Sequence, residues 1–213
     1  MVTQAIDKNM TQVQRVTQIS EAHCGPAVLQ MLLETVGVKT DQATITSAAG
    51  ATETIDEYGT RLDQLALACQ RVAPQVQFWY KHFATLEDIK YLLSRGIPVG
   101  VEWQGLFYKS LEEEAADSDD NEDGDQTDYG HYSVIVFFDD ENDQLVIVDP
   151  YKDFTNRDRI FDVQTFLRRW WDNNEIRDEQ TGRMQIVNDT HLLFFVTPID
   201  EWLPAEYEFK KFH

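Results

Sequence analysis

A cysteine that opens a helix constrains this chain more than any other feature. In Gln18-Ile19-Ser20-Glu21-Ala22-His23-Cys24-Gly25-Pro26-Ala27, the cysteine is followed by glycine and proline, then by an apolar-rich run to Val36. Proline is tolerated in the first helical turn, where its missing N–H costs nothing. Val28, Leu29, Leu32 and Leu33 recur at helical spacing and Gly37 supplies a stop, so the spacing predicts a helix over residues 24–37. A sulfur at its start lies against unpaired N–H groups and the positive end of the dipole, an address suited to a nucleophilic thiolate. The same helix is expected to be the central core helix.

A nucleophilic thiol needs a base, and the base an orienting partner. Five histidines are available: His23, His82, His131, His191 and His213. One hairpin selects among them. Tyr132–Phe138 is rich in β-branched and aromatic residues, Leu145–Val148 is apolar, and Asp139-Asp140-Glu141-Asn142-Asp143 between them is turn chemistry. With the turn centred near Glu141, antiparallel pairing sets position 133 opposite 149, and 131 one diagonal step away on the same face. His131, entering the first strand, and Asp149, leaving the second, are therefore expected within hydrogen-bond reach. Alone, His131 would merely follow a Tyr-Gly turn and Asp149 would open an Asp-Pro turn; the helix-start cysteine gives them a chemical partner. Gln18 precedes Cys24 by six positions on a loop. Its side-chain amide is placed to join the Cys24 N–H in holding the oxyanion that forms when a thiolate attacks an amide carbonyl. His23 is read as a neighbour of the cleft that faces away. Cys69, on an apolar stripe with Leu62, Leu65 and Ala66, is read as a core thiol.

Elsewhere the pattern predicts short helices within 38–73, one capped by Thr40 or Asp41 and another by Thr60. Strands are expected at Val76–Trp79, Val99–Trp103, Met184–Val187 and His191–Val196, with a further short one around Val13 and Val16. Helices are expected from Thr85 to about Ser94 and over Val163–Trp171. Helices come first and strands mainly later. That is an α+β layout, a helical half packed on an antiparallel sheet. The 213 residues suit one domain over 1–213, with an extension from about 176.

Charge excludes some functions. A net charge of −20 argues against nucleic-acid or anionic-membrane binding, which need clustered Lys and Arg. Residues 112–128 hold ten acidic and no basic residues, about half of that excess. This run reads as a solvated insert, with a basic partner as its candidate ligand. Asp119-Asp120-Asn121-Glu122-Asp123-Gly124 matches the first half of a calcium loop, but the twelfth position, where glutamate is needed, is Gly130. No cofactor or metal is expected. Met1–Asn9 is polar and mixed, and no run of about 18 apolar residues occurs. A reduced, cytoplasmic protein without a membrane segment is the expectation.

Gln18…Cys24-Gly25-Pro26-Ala27, Gly96-Ile97-Pro98-Val99, Gly130-His131-Tyr132-Ser133-Val134, Val148-Asp149-Pro150 and Phe166…Trp170, in that order, resemble the papain-like cysteine peptidases of the C39 group. The resemblance is to the stand-alone Cys-Gly-Pro type more than to domains fused to bacteriocin exporters, and it spans roughly residues 12–175. It implies a papain-like fold, with Cys24 as nucleophile, His131 as base and acid, Asp149 as orienter and Gln18 as oxyanion donor. It also implies a peptide or protein substrate, cleaved after a Gly-Gly pair in the exporter-type relatives. The acidic insert is not part of the common pattern. The same residues could serve an acyltransferase, in which an amine or thiol resolves the acyl-cysteine, and the fold could also serve as a non-catalytic peptide-binding module.

Overall fold

The computed structural model describes residues 10–105, 130–177 and 184–213. The acidic run 112–128 and its calcium-loop half-match lie outside the described residues.

Residues that lead with Pro26 and repeat apolar side chains every three to four positions form α1 (Cys24–Thr35), closed by Gly37 at φ +79°. Asp41 caps α2 (Gln42–Ala48) by accepting a 2.7 Å bond from the Thr44 N–H. The one-turn α3 (Ile55–Tyr58) and then α4 (Leu62–Val72) follow. Thr60 does not cap α4: the Gln64 side chain turns back to the Arg61 N–H at 3.0 Å instead. The Thr60 hydroxyl is used sterically, against the first turn of α1. A Cβ on Gly25 would come within 2.3 Å of Thr60 Oγ1 and 3.3 Å of the Tyr132 ring. Only glycine lets the helix start approach the sheet this closely.

The strands are β1 (Val76–Lys81), β2 (Val99–Gln104), β3 (Gly130–Asp139), β4 (Gln144–Val148) and β5 (Arg159–Asp162). After them come β6 (Trp171–Arg177), β7 (Met184–Thr190), β8 (Leu193–Pro198) and β9 (Lys210–Lys211). Between them lie α5 (Leu86–Ser94), with Thr85 and Asp88 forming a capping box, and α6 (Val163–Arg169), capped by Asp162. Seven strands build one antiparallel sheet in the order β5-β4-β3-β2-β8-β1-β9, and β6-β7 form a separate ribbon. β8 lies between β2 and β1, so residues beyond 176 supply a central strand. The segment around Val13 and Val16 forms no strand; it is tied to the sheet by Thr11 N–H donating to the Val136 carbonyl at 3.0 Å.

Strand alternation gives the sheet two apolar faces. Val134, Val136, Val148 and Phe194 meet Leu29, Leu32 and Leu33 of α1 and Leu65 of α4. Val99, Val101, Trp103, Ile135, Ile147 and Phe195 face the other way, against Phe161, Phe166 and Trp170. Leu29, Leu32 and Leu33 are fully buried. Each such side chain stabilises by about 1.5–3 kcal/mol, so α1, and Cys24 at its end, is held firmly on the sheet.

Candidate active site

Three elements converge on one point. α1 brings Cys24, half-buried, at its first residue. β3 brings His131, and the corner after β4 brings Asp149. His131 Nε2 is 2.9 Å from Asp149 Oδ1, and the ring lies near enough to Cys24 for the thiol to bias its protonation. With Nε2 committed to the carboxylate, Nδ1 is the ring nitrogen for the sulfur. The structure thus brings together three of the four residues that the sequence singled out.

The Asp149 carboxylate, fully buried, accepts four bonds. Oδ1 takes His131 Nε2 and, at 2.9 Å, the Tyr151 N–H, which fixes the Asp-Pro corner. Oδ2 takes Arg159 Nη1 at 2.7 Å and the Ser133 hydroxyl at 3.4 Å. Ser133 in turn accepts from Trp103 Nε1 at 3.1 Å. Burial alone would raise the Asp149 pKa, but His131 and Arg159 outweigh it and hold this carboxyl well below the usual range. For His131, burial alone would disfavour the imidazolium; attraction to Asp149, their hydrogen bond and the contact with Cys24 overcome it and raise the imidazole to about 10. Asp149 and Cys24 therefore favour the protonated ring at neutral pH.

Gln18 lies eight residues into the described chain, buried, on the loop ahead of α1. Its backbone N–H donates to the Pro150 carbonyl at 2.9 Å, which links this loop to the Asp149 corner. Both protons of its amide are spent within the loop, on the Ser20 carbonyl at 2.8 Å and the Glu21 carbonyl at 3.0 Å. Donation to an oxyanion requires the amide to leave one of these. Gln42, which the sequence reading passed over, brackets Gln18: its Nε2 donates to the Thr17 carbonyl at 2.8 Å, and its Oε1 accepts the Ile19 N–H at 3.0 Å. A glutamine at the start of α2 carries no sequence signal that would mark this role.

His23, His82 and His191 are occupied elsewhere. His23 Nδ1 lies 2.6 Å from Ser20 Oγ, and burial lowers its pKa against a weaker pull from Asp56. His82 pairs with Asp189 at 3.1 Å, and His191 stacks on Trp170. Cys69 is fully buried, and burial pushes its thiol up to about 12. It is the core thiol the periodicity suggested.

Behind Tyr132, the residue after His131, three buried carboxyls gather: Glu102 from β2, Asp172 from β6 and Asp189 from β7. Asn174 donates to Glu102 at 3.3 Å and to Asp189 at 2.8 Å, and Gln104 donates to Asp172 at 3.0 Å. Burial, and then the charge of Asp189, raise Glu102 to about 7; polar contacts from Tyr132, Asp172 and Asn174 work the other way. A folded pKa above the unfolded 4.5 means that the folded state holds this proton more firmly. The resulting stability is fully present below pH 4.5 and is lost as pH rises through about 7. Thermal melts across that window are expected to show a falling Tm for the native chain and a flatter curve for Glu102→Gln. Among the described residues, no group of three or more His, Cys, Asp and Glu side chains could hold a metal ion.

Comparison with known proteins follows the same lines. A profile of the Peptidase_C39 like family matches residues 10–176. Among solved structures, the peptidase domain of Streptococcus ComA, a bi-functional ABC transporter of a quorum-sensing pathway, superposes with a TM-score of 0.56. It shares 19% identity over 88% of this chain and 99% of that one. A Bacillus anthracis protein assigned as a C39-like peptidase gives 0.57, at 17% identity over 88% and 96%. A double glycine motif protease from an AMS/PCAT transporter, solved with its leader peptide, gives 0.52, at 14% identity over 91% and 96%. No curated protein matches the chain significantly. Among the described residues, no helix is long and apolar enough to cross a membrane.

Proposed function

We propose that this chain, which belongs to the Peptidase_C39 like family, is a cysteine peptidase that cleaves a peptide bond through Cys24, His131 and Asp149. One observation carries the reading: a buried histidine whose Nε2 lies 2.9 Å from a buried aspartate sits beside a cysteine that opens a helix. The Cys24 proton passes to His131. The thiolate attacks the substrate carbonyl, and the negative charge moves onto its oxygen. The Cys24 N–H, which at the first helical position has no partner within the helix, donates to that oxygen. Gln18 joins it by trading one loop carbonyl for the oxyanion. The tetrahedral species collapses as His131 gives its proton to the leaving amine. A water then adds to the thioester, with its proton passing to His131, and the acid product leaves. Asp149 keeps the ring turned to the sulfur throughout and stabilises its charge.

The solved relative described as a double glycine motif protease holds a leader peptide, which supports a peptide substrate and cleavage after small residues such as Gly-Gly. The test is a panel of synthetic peptides, with and without Gly-Gly, incubated with and without an added amine or thiol. Free carboxylic acid product in the absence of any acceptor is expected, favoured by Gly-Gly. Product formed only when the acceptor is present would replace hydrolysis by acyl transfer.

A further inference from the structure

We propose that Arg159 is a positioning residue that acts on the reaction through Asp149: its guanidinium holds the second carboxylate oxygen, so that the first is turned to His131 and the ring to Cys24. This deepens the reading of the site as a thiol peptidase and rests on it.

A carboxylate that serves one imidazole with one oxygen is free to rotate about its Cβ–Cγ bond unless the other oxygen is tied. Here Arg159 Nη1 ties it at 2.7 Å, far closer than the Ser133 hydroxyl at 3.4 Å, and the Arg159 and Asp149 side chains are both buried. The guanidinium is itself fixed by stacking. It lies 3.9 Å from the Phe154 ring centroid and 4.8 Å from that of Phe161, with Trp103 at 5.8 Å. Such faces suit a planar, weakly hydrated guanidinium better than an ammonium. Trp103 also pairs with His131 across β2 and β3, so one aromatic surface backs both partners of Asp149. A purely structural ion pair would not need to end on the carboxylate that orients a nucleophile's base.

Arg159 also places a permanent positive charge beside the site. Among the described residues, these charged groups lie around it. His131 from β3 and Cys24 from α1 lie on one side of Asp149. Tyr132 and Glu102 are on the opposite face of the sheet. Asp158, next in the chain, is paired with Arg15 near the surface, and Arg157 stacks on Phe154. Removing one positive charge raises the pKa of every group that feels it, whatever the sign of that group. Loss of Arg159 is therefore expected to move the whole titration of the site to higher pH. A merely structural role would lower stability and leave the titration where it is.

The experiment uses iodoacetamide as probe, with the rate of Cys24 alkylation followed by peptide mass mapping from pH 4 to 10. Buried Cys69 serves as the internal control. The expected result is a rate–pH curve for Arg159→Met displaced upward by on the order of one unit. Arg159→Lys, which keeps the charge and loses the stack, is expected to track the native curve despite a lower Tm. Coincident curves for Arg159→Met and the native chain, or an equal displacement in Arg159→Lys, would overturn the proposal. If native Cys24 reacts no faster than Cys69 at neutral pH, the peptidase reading itself fails, which is a distinguishable outcome. Should Arg159→Met not fold, Arg159→Gln provides the same loss of charge with a polar replacement.

Discussion

Cys24→Ala is expected to abolish peptide cleavage, by on the order of ten-thousand-fold or more, with little change in Tm. The covalent route is lost entirely without the sulfur, and only binding and oxyanion stabilisation remain. The fold should tolerate the change because Cys24 is only half-buried and sits at the end of α1, while the anchoring contacts come from Leu29, Leu32 and Leu33. Alkylation gives an independent readout. At neutral pH, iodoacetamide should modify Cys24 rapidly and Cys69 hardly at all, since burial holds Cys69 as the neutral thiol. Rapid labelling of Cys69 would contradict the assignment of the site.

Asp149→Ala should damage both stability and activity. It strips the acceptor from His131, Tyr151, Arg159 and Ser133 at once. The severest consequence is a buried guanidinium with its counter-charge gone; breaking a buried pair in this way costs about 3–5 kcal/mol. Activity should fall by roughly a hundred- to ten-thousand-fold, because the imidazole loses both its orienter and the charge that favours its protonated form. Denaturant unfolding and kcat/KM measured on the same preparations separate the two effects. Adding Arg159→Met to Asp149→Ala removes the orphaned charge and is expected to recover much of the stability, with no recovery of activity. Recovery of activity in the double variant would show that Asp149 matters to the fold alone.

The arrangement of this candidate site was legible because it rides on the strongest local signals. Helical spacing after Cys24-Gly25-Pro26 fixes the cysteine's place, and the acidic turn between two apolar strands fixes the hairpin. The register is instructive. Position 133 does lie opposite 149, as Val134 pairs with Val148, but only because a bulge between Ile135 and Phe137 shifts the ladder by one residue from the turn end, where Asp139 pairs with Gln144. Centring the turn on Glu141 reached that register without seeing the bulge, which no residue in Ile135-Val136-Phe137 announces.

What stayed hidden depends on distant pairing. Trp171–Arg177 is too polar to read as a strand; it is made one by its partner, Met184–Thr190. The insertion of β8 between β2 and β1 joins segments far apart in the chain, such as Gly100 with Phe194 and Val76 with Pro198. The tail reads as loose surface, yet Tyr207 stacks on Tyr91 and Lys210 pairs with Tyr80. Arg159 and Gln42 belong to the same class. Each is an ordinary polar residue in its local sequence, and each acquires its place only once the Asp149 corner and the Gln18 loop are folded against it. Thr60 shows the converse, a good local capping residue whose hydroxyl ends up against Gly25 because the α1–sheet approach leaves room for nothing larger.

The claim that Cys24 is the covalent nucleophile is tested most directly by trapping. A peptide p-nitrophenyl ester ending in Gly-Gly acylates quickly, which lets the slower-resolving thioester accumulate before an acid quench. Intact mass spectrometry followed by peptide mapping then reads the adduct. The expected result is a gain equal to the peptide acid less one water, carried by Cys24 and absent from Cys24→Ala. Turnover of the ester with Cys24 unmodified, or the same mass on another side chain, would contradict it.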